Sequence, residues 1–94
     1  MNHDDNPLRV DRNCPLCGHE ATFLPTEFGS KREFDCPQCK TFLISAGIED
    51  RIMNSPKSFR EKLSRKAINT PQKMMLHIYI VNDKITANYK PIRN

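Results

Sequence analysis

A chain of 94 residues with 37% apolar content and no Trp suffices for one small domain with a thin core. No stretch approaches the ~20 consecutive apolar residues that a membrane-spanning helix needs. The formal charge of +4 is uneven: residues 1–45 hold five Lys/Arg against seven Asp/Glu, a net of −2, and residues 46–94 hold ten against four, a net of +6.

Met1 to Pro7 is polar and acidic with no apolar run after it, which is not the pattern of a secretory signal and points to the cytoplasm. Residues 1–11 read as a flexible N-terminal arm, with Leu8 and Val10 alternating with Arg9 and Asp11 as in a short edge strand. Then comes Cys14-Pro15-Leu16-Cys17-Gly18. Its counterpart, Cys36-Pro37-Gln38-Cys39-Lys40, follows eighteen residues after Cys17, and these four are the only cysteines. Two Cys-x-x-Cys pairs at such spacing suit one tetrahedral metal ion, and a cytoplasmic chain favours metal over disulfides. Gly18 takes positive φ without strain; Lys40, its counterpart, pays about 1 kcal/mol if it turns the same way.

Between the pairs, Glu20–Leu24 and Arg32–Cys36 read as strands joined by a reversal at Phe28-Gly29-Ser30-Lys31. Thr41–Ser45 supplies a third strand, and Phe23, Phe34 and Phe42 an apolar face. Ile48–Met53 predicts one or two helical turns. A longer helix is expected after Ser55 as N-cap with Pro56 in the first helical position. Phe59, Leu63 and Ala67 give it one apolar stripe, and Thr70-Pro71 ends it. Leu76, Ile78 and Ile80 alternate with His77, Tyr79 and Val81. Met74–Tyr79 also fits a helix, but its β-branched and aromatic residues favour a hairpin over Asn82-Asp83-Lys84 to Ile85–Tyr89. The expected fold is a small α+β, metal-stabilised one: a three-stranded antiparallel ribbon over residues 12–45, then a short basic helix and a C-terminal β-hairpin over 46–94.

The two Cys-Pro-x-Cys motifs and the hairpin between them resemble a zinc ribbon, over about a third of the chain. The resemblance implies one structural Zn²⁺ held by Cys14, Cys17, Cys36 and Cys39. Zinc ribbons as a group serve transcription, translation, nucleic-acid enzymes and protein docking. Iron is the alternative ion, since rubredoxins use similar pairs; they are acidic and aromatic-rich, whereas this chain is basic and lacks Trp. His19 is a candidate replacement ligand, read as an exposed histidine because four cysteines suffice.

Four thiolates leave no open position for water, neither pair sits in a thioredoxin-like setting, and three scattered glycines make no phosphate-cradling loop. The expectation is a protein that is not an enzyme and has no small-molecule substrate. Zn²⁺ with four thiolates adds −2 to an already acidic half. A polyanion is therefore drawn to the C-terminal half. Lys57, Arg60, Lys62, Arg65 and Lys66, with Glu61 the one acid among them, are candidate contacts for DNA or RNA phosphates; the plain alternative is a solvated helix face. Tyr79 and Tyr89 are candidates for base stacking or for simple packing. The second functional class is a protein-interaction adaptor or homodimer, docking through the C-terminal hairpin by its Leu76/Ile78/Ile80 face.

Overall fold

The computed structural model describes residues 9–92. Its frame is one six-stranded sheet in sequential order: β1 (Val10–Asn13), β2 (Glu20–Thr26), β3 (Lys31–Cys36), β4 (Lys40–Ser45), β5 (Met74–Val81) and β6 (Lys84–Pro91). All neighbours are antiparallel except β4 and β5, which run parallel. A parallel pair needs a crossover, and α1 (Glu49–Met53) and α2 (Lys57–Ile68) form it.

The expected three-stranded ribbon is thus a correction: β2, β3 and β4 lie inside a larger sheet. β1 pairs along β2, so Val10 and Asp11, read as part of an arm, are in a strand; residues 1–8 lie outside the described residues. The pairing of Phe42 with Leu76 and of Ile44 with Ile78 runs the sheet across the division expected at residue 45/46.

The register explains the core. Val10, Phe23, Phe34, Phe42, Leu76 and Tyr89 stand opposite one another, one per strand, across all six strands. Phe34 and Phe42 stack with ring centroids 5.3 Å apart and planes 6° apart, and Phe23 tilts onto Phe34 at 5.3 Å. Fully burying a phenyl ring contributes about 2 to 3 kcal/mol, and Phe34 and Phe42, the two middle members of this row, have no exposed surface. Both helices cover the same face, with Ile48, Ile52, Leu63 and Ala67 in one cluster with the ring row.

The expected stripe of α2 is observed, with Leu63 and Ala67 buried and Phe59 half-buried against the core. Its cap differs. Pro56 has ψ 149°, so helical geometry starts at Lys57, and the Pro56 carbonyl accepts from the amides of Phe59 and Arg60. Ser55 instead donates through Oγ to Arg51 O at 2.7 Å, closing α1. In the C-terminal hairpin, Val81 pairs with Lys84, so the loop is only Asn82-Asp83. Both take positive φ, 51° and 65°, the left-handed pair that matches the strand twist in a two-residue turn.

Leu76 and Ile78, expected to face a partner, have no exposed surface. They pack in one cluster with Leu63 and Ala67 of α2, while Ile80 of the same face is half-buried. No helix among the described residues is long and apolar enough to cross a membrane.

Candidate metal centre

The two cysteine pairs meet at one end of the sheet. Cys14 and Cys17 lie between β1 and β2; Cys36 closes β3, and Cys39 precedes β4. Their Sγ atoms all lie within 4.8 Å of one another, with Cys14–Cys39 at 3.9 Å and Cys17–Cys36 at 3.5 Å. A tetrahedron of sulfurs about 2.3 Å from a zinc ion has edges of about 3.8 Å, so one ion fits among them. These separations are far beyond the ~2.05 Å of a disulfide, and all four thiols are free.

Each loop turns as its sequence demands. Gly18, at φ 84°, donates its N–H to Cys14 O at 2.8 Å, and Cys14 N–H donates to His19 O at 2.8 Å. Lys40 occupies the matching place at φ 67°, the left-handed conformation that Gly18 adopts freely and a lysine adopts at a cost.

Cys14, Cys36 and Cys39 are buried and Cys17 is half-buried. As a free thiol, Cys14 is driven up by its side-chain hydrogen bond with Cys39 and by burial, while backbone N–H groups of Cys17 and Leu16 pull the other way. Burial likewise pushes Cys17 up to about 11, opposed by a backbone hydrogen bond from His19. Cys14 and Cys17 therefore hold their protons at neutral pH until a cation displaces them. A divalent ion reverses that balance, and the inward backbone N–H groups then stabilise the thiolates.

Two side chains beyond the cysteines complete the site. His19 is exposed, as expected, yet its Nδ1 lies 3.3 Å from Cys17 Sγ. Ser64, buried on α2, lies 3.1 Å from Cys39 Sγ. Once the sulfur is deprotonated for ligation, the hydroxyl is the donor. Ser64 was not singled out from sequence; the available signal was a small polar residue immediately after the stripe position Leu63. Through it the basic helix touches the metal site.

The five candidate phosphate contacts do not share one surface. Lys57, Arg60 and Arg65 line a groove of about 300 Å³ between α2 and the two cysteine loops, where Leu16, Cys17 and Gln38 form the other wall. Lys62 and Lys66 lie off the groove, with Lys66 Nζ 5.6 Å from the Tyr89 ring centroid. Tyr89 donates its hydroxyl to Lys66 O at 2.7 Å and packs against the core. Tyr79 stands on the opposite sheet face beside His77, ring centroids 4.6 Å apart, and its hydroxyl accepts from Asn88 Nδ2 at 2.7 Å.

A further network ties β1 to the end of the sheet remote from the cysteines. Glu49 is buried, and Arg32 Nη1 donates to its Oε2 at 2.7 Å while Arg12 Nη1 stands 3.7 Å from Oε1. The Arg32 guanidinium lies 4.4 Å from the Phe23 ring centroid. β1, β3 and α1 are thus tied together over the ring row. Compared with family models, curated proteins and solved structures, the chain matches none.

Proposed function

We propose that this chain is a zinc-binding accessory protein: one structural Zn²⁺ held by Cys14, Cys17, Cys36 and Cys39 fixes the fold, and α2 contacts nucleic-acid phosphates. Four thiolates fill the positions of a tetrahedral ion, which suits a staple rather than a catalyst. Zinc is favoured over iron because the chain as a whole is basic and lacks Trp.

One observation carries the nucleic-acid part of the reading. Among the described residues, Lys31, Arg12, Arg32 and Arg51 are each within ion-pair distance of an acid of the chain. Among the described residues, Lys57, Arg60, Lys62, Arg65 and Lys66 form no such pair, nor do Lys40, Lys73, Lys84 and Lys90, but the first five are gathered on one helix. Cations with no carboxylate partner are the ones free to release counterions from a phosphate backbone.

The test is binding of short DNA and RNA over a salt series. Three to five phosphate contacts give a log–log slope of about −2.5 to −4.5 on duplex DNA. A slope near zero, or no binding at low salt, overturns the reading.

A further inference from the structure

We propose that the groove between α2 and the cysteine loops is a directed phosphate site, in which Arg60 and Gln38 hold a backbone phosphate of a nucleic acid. This deepens the phosphate-binding reading of α2 and rests on it. The basic helix then has two unlike sides, of which one recognises geometry and the other supplies only charge.

The groove carries Arg60 on one wall and Gln38 on the other, two side chains able to donate hydrogen bonds to one ligand. Arg60 Nε is buried with no acceptor among the described residues. No carboxylate of the described residues pairs with this guanidinium, and a phosphate oxygen in the groove matches its planar Nη fork. Gln38 brings an amide from the opposite wall. At one end, N-cap Pro56 makes no side-chain capping bond to the first turn of α2, which begins at Lys57. The amides of Lys57 and Ser58 there have no intrahelical partner, and such free N–H groups favour an anion.

Charge summation separates this site from a generic basic patch. Lys57, Arg60 and Arg65 give +3; Glu61 at the rim gives −1, and Zn²⁺ with four thiolates gives −2. The groove is close to neutral when the ion is bound. What holds a phosphate there is directed donation, not bulk field. Lys62 and Lys66, off the groove, act through charge alone.

Charge-preserving substitutions isolate this claim. Arg60→Lys keeps the charge and removes the fork; Gln38→Ala changes no charge and sits on the cysteine loop, not on the helix. The probes are a fluorescein-labelled single-stranded DNA, its RNA counterpart and a DNA duplex, titrated with the metal-loaded full chain. Metal content and melting temperature check that each variant is folded. The expected result is about a tenfold loss of affinity for Arg60→Lys and for Gln38→Ala. Lys62→Gln with Lys66→Gln is expected to cost only about threefold, as two screened charges do. If Arg60→Lys and Gln38→Ala bind as the unaltered chain does while charge removal anywhere on α2 weakens binding alike, the groove is overturned and the basic-helix reading stands. If the unaltered chain binds none of the three probes, both are overturned.

Discussion

Ser64 Oγ lies 3.1 Å from Cys39 Sγ, and both residues are buried, although they are 25 residues apart in the chain. This contact joins the helix that carries the gathered cations to the centre that carries the ligands. A hydroxyl donating to a metal-bound thiolate orients it and offsets its charge, and removing such a partner typically weakens metal affinity by about 10- to 100-fold. Ser64→Ala is therefore expected to bind one ion per chain with an affinity lower by at least about tenfold. Competition against a chromophoric chelator measures it, and an unchanged affinity contradicts the role given to Ser64.

Lys40 supplies a stability test in the opposite direction. At φ 67° it occupies a conformation that costs a side chain roughly 1 to 2 kcal/mol, partly offset by the entropy that glycine loses on folding. Lys40→Gly should stabilise the chain by about 0.5 to 1 kcal/mol, raising the melting temperature by about 4 °C. The side chain is exposed, so little else is lost. A lower melting temperature for the variant rules this out.

Much of this architecture is written in local pattern. Four cysteines at metal spacing, phenylalanines on one side of each expected strand and the Phe59/Leu63/Ala67 stripe each carry their own periodicity, and each appears where that periodicity places it. The parallel join of β4 to β5 has no such signal. Thr41–Ser45 and Met74–Val81 read as strands whether or not they pair with each other, and only the crossover geometry of two helices decides it. The same holds for Ser64 and for Arg12, Arg32 and Glu49, whose roles depend on partners distant in sequence. The cap at Ser55 was misplaced for a local reason: Pro56 adopts extended ψ, which moves the helix start one residue on.

Glu49 tests the brace between β1, β3 and α1. It is buried beside Arg32 and Arg12, whose side chains are 31% and 48% exposed, so water screens part of the interaction. Glu49→Ala leaves the Arg32 guanidinium without its carboxylate and is expected to cost about 2 kcal/mol, or roughly 10 °C in melting temperature. Thermal denaturation of the metal-loaded chain reads this directly; a shift within about 2 °C of zero contradicts it.

His77 sets a pH dependence. Burial lowers its pKa from the ordinary 6.5, and the neighbouring Lys31 and Lys90 lower it further while Glu27 acts in the opposite direction. The folded chain thus binds this proton less readily than the unfolded one. The contribution of neutral His77 to stability is complete above about pH 6.5 and is lost as pH falls through the folded-state value. His77→Gln removes that component. Between about pH 7.5 and about pH 5 the unaltered chain should lose more melting temperature than the variant does. Equal losses exclude His77 as a source.

The central claim is that a single zinc ion staples this thin core. Elemental analysis of the purified chain, followed by circular dichroism and melting after chelation under reducing conditions, tests it most directly. The account predicts one zinc per chain, loss of ordered structure over at least residues 14–45 on its removal, and the same loss in Cys36→Ser, because ligation energy is folding energy in a site of this kind. A chain that keeps its cooperative melt with the metal removed and the thiols reduced would contradict it.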